Sequence, residues 1–238
     1  MISGKSFSAI CKWVVDPRYP ERETFRYSAA NDGDWVFVNG DYLGDFLRRF
    51  PVFPVNKRFI IVLHNTDRSF GIQELAAVLS RVHHIYAINT VIRHPKVTTI
   101  PLGFVDKQLV FLHGFKGGSS EKPYEIYMNF TEGTNAPKRL ECARAFENDH
   151  RVVRTEGLTV PEYYMDLCRS KFVLCPEGTG IDTHRVYEAL FCGATPVVLR
   201  NSLSHLYEKL PVCIVDTWMD PLVVPEHKKI DWSINSFL

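Results

Sequence analysis

The stretch Ser170-Lys171-Phe172-Val173-Leu174-Cys175-Pro176-Glu177-Gly178-Thr179-Gly180-Ile181-Asp182-Thr183-His184-Arg185-Val186-Tyr187-Glu188-Ala189-Leu190-Phe191-Cys192-Gly193-Ala194-Thr195-Pro196-Val197-Val198-Leu199 decides the fold. Residues 172–175 are wholly apolar, as a strand buried on both faces must be. They empty into a loop with two glycines, and residues 183–191 then show helical spacing that Gly193 ends. Residues 196–199 are a second apolar strand. Strand, crossover helix and strand within about thirty residues make a βαβ unit, which commits both strands to a parallel sheet.

The alternation extends outward from this unit. Upstream, residues 124–130 and 151–154 have strand character, while 136–146 and 161–169 repeat with helical period, the latter with Pro at its first turn. An earlier series has strands at 35–38, 58–63, 84–88 and 97–102, with helices at 41–50 (stopped by Pro51) and 72–82. Residues 113–123 are rich in Gly and Ser and offer little to bury, so the domain boundary is placed there, giving domains 1–118 and 119–238. Two βαβ series imply an α/β protein with two Rossmann-like domains, each a parallel sheet with helices on both faces. Ligands of such sheets sit beyond the carboxyl ends of the strands, where the strand order reverses. Two such edges facing one interdomain cleft would bring two substrates together.

Composition narrows the partners. With 28 Lys+Arg against 27 Asp+Glu the net charge is +1, and the longest basic cluster is His227-Lys228-Lys229, so nucleic acid is not expected as a ligand. No apolar run approaches the roughly 18 to 20 residues that span a bilayer, and the first residues lack a signal-peptide core, which points to a cytoplasmic protein. The six cysteines form no C-x-x-C pair and four sit among apolar neighbours, as reduced core thiols do. The nine histidines lack ligand spacing, so no structural zinc site is expected.

The loop and helix after strand 172–175 admit two readings. In one, the unpaired N–H groups of the helix N-terminus, with Gly180, Asp182, Thr183 and the first-turn Arg185, hold an anion such as a diphosphate, while Glu188 accepts from ribose hydroxyls. In the other, Thr183 is an N-cap and Arg185–Glu188 an i,i+3 ion pair on a surface helix. Residues 129–135, with Thr131 and Asn135, lead to Arg139 and either complete a diphosphate cradle or form a plain strand-to-helix turn. After strand 58–63 come His64 and Asp67, either able to take a proton from an acceptor hydroxyl; Asp67 is the candidate general base or an Asx-turn residue, and His64 would orient it or bond the donor phosphate. Asp41, after strand 35–38, is the rival base, or a helix cap. Asp32-Gly33-Asp34 has the form of a D-x-D metal motif, but it precedes its strand and is expected to be a turn; no metal ligands are assigned.

The 170–199 stretch resembles the donor-binding signature of exostosin-like glycosyltransferases with the GT-B fold, and more distantly the matching segment of α1,3-fucosyltransferases. The segments around Phe37-Val38-Asn39-Gly40-Asp41, Phe59 to Phe70, Ile100 to Phe104 and Tyr127 to Arg139 resemble blocks of compact bacterial and virus-encoded members. The resemblance implies that Glu188 binds the nucleotide ribose and Arg185 the diphosphate. It implies an inverting transfer from a nucleotide-sugar donor, UDP-linked, to a hydroxyl of a glycan acceptor; no separate cofactor is expected, and no divalent metal, because helix N–H groups and arginines would meet the charge on the leaving diphosphate. L-Rhamnose, xylose, galactose and fucose stay open as the transferred sugar, with rhamnose suggested by the small virus-encoded relatives. A GDP-fucose transferase and a non-catalytic nucleotide- or glycan-binding module, one domain of a larger polypeptide, are the alternatives. The chain is shorter than the larger exostosins, so heparan-type activity is not implied.

Overall fold

The computed structural model describes residues 1–51, 56–115, 117, 121–226 and 230–238. They divide into two compact units, Met1–Asp106 with Asp231–Leu238, and Lys107–Ile230. The boundary expected between residues 118 and 119 and the basic cluster 227–229 lie outside the described residues.

In the first unit five parallel strands follow chain order: β1 (Trp13–Val15), β2 (Trp35–Asn39), β3 (Phe59–His64), β4 (Val82–Ala87) and β5 (Val97–Thr99). Right-handed crossovers in a sheet of this order put the connecting helices on one face. Accordingly Leu43 and Phe46 of α2 (Leu43–Arg48) and Leu75 and Val78 of α3 (Ile72–Leu79) share one core with Val36, Val38, Ile61, Leu63, Ile85 and Ala87. Phe25 joins that core from a loop and meets the rings of Trp13, Phe46, Phe50 and Phe59. The other face is reached by α1 (Gly4–Ala9), whose Phe7 ring lies 5.3 Å from that of His64. Helix α1 starts with a capping box between Ser3 and Ser6. With strands in chain order, this sheet has no reversal.

The second unit holds β6 (Tyr124–Met128), β7 (Val152–Arg154), β8 (Ser170–Leu174), β9 (Thr195–Leu199) and β10 (Cys213–Val215), all parallel, in the order β10-β9-β8-β6-β7. The chain steps outward from β6 to β7, returns across β6 to β8, and continues the other way. The reversal therefore lies between β6 and β8, the 2-1-3-4-5 arrangement of doubly wound sheets. Reversing direction with a constant crossover hand sends the helices to opposite faces. Cys142, Ala143 and Phe146, along and just beyond α5 (Ala136–Ala145), pack on Ile126, Met128, Phe172 and Leu174. Tyr127 points the other way, its hydroxyl 3.4 Å from Asp166 of α6 (Val160–Cys168), and α7 (His184–Phe191) lies beside α6. Two further helices, α4 (Leu109–Gly114) and α8 (Ser204–Tyr207), complete the unit. Helix α4 attaches through Phe111 and the following Phe115, whose rings stand 5.4 and 5.7 Å from that of Tyr164. All six cysteines are buried free thiols.

Ser3 and Phe104 form a parallel bridge, with the Phe104 N–H donating to the Ile2 carbonyl at 2.9 Å, and Gly103 makes this approach possible. Its φ is +71°, and a Cβ there would lie 2.4 Å from the Ile2 carbonyl oxygen. Gly103→Ala is expected to lower the unfolding free energy by about 1–3 kcal/mol, read as a lower urea midpoint. An unchanged midpoint would contradict the packing described.

Candidate functional site

The site is built where the strand order reverses. Phe130 lies two residues beyond β6, Arg139 on the first turn of α5, and Arg185 on the first turn of α7, so two helices on opposite faces each bring one guanidinium to the same place. The Cζ of Arg139 stands 5.7 Å, and that of Arg185 5.9 Å, from the centroid of the Phe130 ring. Arg139 is buried and held by two carbonyls: its Nε donates to Glu177 at 3.1 Å and its Nη1 to Thr131 at 2.6 Å. Burial, and then the neighbouring Arg185, lower its proton affinity. The Arg185 Nε is buried with no hydrogen-bond partner. Among the described residues neither guanidinium has a carboxylate at ion-pair distance. The i,i+3 pair between Arg185 and Glu188 that spacing allowed is not formed among them.

The loop between β8 and α7 is fastened from three sides. Asn135 Nδ2 donates to the Gly178 carbonyl at 2.8 Å, and Thr179 Oγ1 to the Thr134 carbonyl at 3.3 Å. The Gly178 N–H donates to the Gly180 carbonyl at 3.1 Å. The Glu177 carboxylate pairs with Lys138 and accepts from Asn201 Nδ2 at 3.0 Å. A Cβ on Gly178 would lie 2.9 Å from Arg139 Nη2, so glycine lets the guanidinium lie against the backbone. Thr183 is the N-cap of α7 by position, yet its hydroxyl makes no capping bond and, although buried, has no partner. A buried hydroxyl and a guanidinium N–H without hydrogen-bond partners thus stand on neighbouring residues at the start of α7, donors of the kind that an anion site uses.

Glu188, one turn further along α7, is buried and accepts from the Tyr163 hydroxyl at 2.8 Å. Burial, and then the Glu188 charge, push the Tyr163 hydroxyl well above the usual tyrosine range, so it stays a donor. The Tyr164 hydroxyl is likewise pushed well above the usual tyrosine range, by burial and then by the same Glu188 charge. Asp182 is committed to the protein: its oxygens accept from Tyr187, from Tyr207 at 2.8 Å and from the Thr183 N–H at 2.9 Å. It anchors the loop.

In the first unit the residues singled out in the sequence follow β2 and β3. Asp41 lies in a short 3-10 turn (Gly40–Tyr42) capped by Asn39, and its carboxylate accepts from the Thr66 hydroxyl at 2.5 Å. It is therefore not the cap that its position suggested. Asp67 is exposed in the loop after β3, and the local turn is closed by Thr66, whose hydroxyl accepts from the Arg68 N–H, rather than by Asp67. His64 is buried as the last residue of β3, its Nδ1 accepting from the Asn65 N–H at 2.8 Å. Sequence reasoning missed Asp16, directly after β1. That buried carboxylate takes a bidentate contact from Arg18 and a bond from Asn65 Nδ2, and Asn65 adopts φ 62°. Asp32 and Asp34 stand at the amino end of β2 and are spent on the loops, Asp32 on the Arg58 N–H and Asp34 on Lys12, Trp13 and Asn31. Among the described residues no three His, Cys, Asp or Glu side chains stand together as a metal site.

Residues 125–216, which hold the whole of this second-unit site, match the family model described as the RXYLT1 C-terminal domain. A probable glycosyltransferase of Arabidopsis thaliana is 33% identical over 92 residues, which are 38% of this chain. The chain spans 18% of that relative's length. Among the described residues no helix is long and apolar enough to cross a membrane.

The part given to Asp182 is open to test. Asp182→Asn puts an amide where two tyrosine hydroxyls donate, and is expected to cost about 1–3 kcal/mol of stability in a urea titration. Unchanged stability would free Asp182 for a ligand.

Proposed function

We propose that the chain is an inverting, metal-independent glycosyltransferase that moves a sugar from a UDP-sugar to a hydroxyl of a glycan acceptor. The observation that carries this reading is the pair of guanidiniums, Arg139 and Arg185, brought together at the strand-order reversal with no carboxylate at ion-pair distance among the described residues. Such a pair calls for an anion of more than one charge, and the departing diphosphate is one. Thr183 and the α7 N-terminus add donors, and Glu188 beside Tyr163 supplies a carboxylate for the ribose. The resemblance to exostosin-like enzymes and the partial match to a probable glycosyltransferase support the same reading. The GT-B arrangement, the UDP carrier and L-rhamnose as the transferred sugar belong to the proposal, and so does an acceptor glycan bound by the first unit.

In the proposed reaction the acceptor oxygen attacks the anomeric carbon as the bond to the diphosphate breaks. Asp67 or Asp41 takes the acceptor proton, with Asp67 favoured because Asp41 is engaged by Thr66. Arg139, Arg185 and the helix N–H groups meet the charge on the leaving diphosphate, so no divalent ion is required. A GDP-sugar donor is the second reading, kept because the same signature resembles the fucosyltransferases.

Calorimetry of UDP binding tests the donor site. Glu188→Ala removes a charged hydrogen bond to the ribose and is expected to weaken UDP about ten- to a hundred-fold with the fold intact. Unchanged affinity would remove Glu188 from the site. Turnover is expected to survive excess EDTA; activity lost with chelator and restored by manganese would overturn the metal-free mechanism.

A further inference from the structure

The proposed donor site depends on keeping two like charges close, and one uncharged side chain stands under both. Phe130 is buried in the core of the second unit, in one cluster with Met128, Cys142, Ala143 and Phe146. Its backbone leaves β6 at the strand-order reversal, so the ring is fixed from the sheet side. The guanidiniums of Arg139 and Arg185 both stand within cation–π range of that ring. Two guanidiniums with no carboxylate at ion-pair distance among the described residues repel one another, and each needs a reason to stay. Arg139 has two carbonyls to hold it, whereas the Nε of Arg185 is unpartnered and the charge of Glu188 acts on Arg185 from its own helix, so the Phe130 ring is the one group of these that both guanidiniums share. The negative face of an aromatic ring does this without neutralising either charge, which a carboxylate in the same place would do.

We propose that Phe130 is a positioning residue: its ring sets the separation of the Arg139 and Arg185 guanidiniums and so makes the site select a diphosphate over a monophosphate. The proposal rests on the donor-site reading above. A monophosphate can be served by one guanidinium and the helix N-terminus, while a diphosphate gains from the second guanidinium only when it is held at the right distance. A side chain of similar size without a π-face would fill the core yet let Arg185 drift from Arg139.

The experiment measures UDP and UMP affinities by calorimetry for the wild-type chain, for Phe130→Leu and Phe130→Tyr, and for the chain carrying pentafluorophenylalanine at position 130. The fluorinated ring keeps the shape and reverses the sign of the ring face, so it reads cation–π attraction apart from packing. The wild type is expected to prefer UDP. In Phe130→Leu and in the fluorinated chain that preference should fall about tenfold, through loss of UDP affinity with UMP little changed, and Phe130→Tyr should restore it. A UDP-to-UMP ratio in the fluorinated chain equal to that of the wild type overturns the proposal, even if Phe130→Leu folds poorly. An equal loss of both nucleotides in every variant reduces Phe130 to packing and overturns it too. A wild-type chain that binds neither nucleotide overturns the donor-site reading itself, a result distinct from an altered ratio.

Discussion

Two positive charges held over one aromatic ring, with no carboxylate at ion-pair distance among the described residues, form the constraint on which the second unit turns. A buried cation without a partner is costly, and a pair is costlier because each raises the price of the other. The fold tolerates Arg139 by giving it the carbonyls of Glu177 and Thr131, and it fastens the loop that carries Glu177 through Asn135, which holds the Gly178 carbonyl, and through Lys138 and Asn201, which hold the Glu177 carboxylate. Arg185 keeps an unpartnered Nε. Under the proposed function these groups act as an anion receptor whose donors are oriented before any ligand arrives, the condition under which electrostatic stabilisation of a leaving group costs no reorganisation.

The topology explains why the pair forms only in the second unit. Its strand order reverses between β6 and β8, so α5 and α7 leave the same edge toward opposite faces and their first turns flank one crevice. In the first unit the strands run in chain order, and α2 and α3 share one face and one core. No pair of helix starts diverges there. Its carboxyl edge instead carries polar side chains tied to one another, Asp16 to Arg18 and Asn65, and Asp41 to Thr66.

Much of this was legible in the sequence, and the parts that were not share a cause. The apolar run 172–175, the two-glycine loop and the helix after it mark a βαβ unit, and β8, α7 and β9 stand there. Arg185 and Arg139 could be named because each follows a strand. Their meeting could not, since it depends on strand order, and strand order is set by long-range pairing that no local period records. No strand was read over β1 and β10, so Asp16 at the end of β1 went unread. Phe130 looked like the last residue of a strand, and its ring acquires a part only once both guanidiniums stand over it. The hydroxyls of Thr183 and Tyr163 are similar: their residue types admit capping and packing, and only the geometry shows one left without a partner and the other bonded to Glu188.

The central claim is that this receptor takes the diphosphate of a nucleotide. The most direct measurement is the melting temperature of the wild-type chain in metal-free buffer with UDP and with uridine at equal concentration. The account predicts stabilisation by UDP, about 2.7 kcal/mol at a hundred times its dissociation constant, and almost none by uridine, which lacks the charge that Arg139 and Arg185 await. Equal stabilisation by uridine and UDP, or none by either, would contradict it.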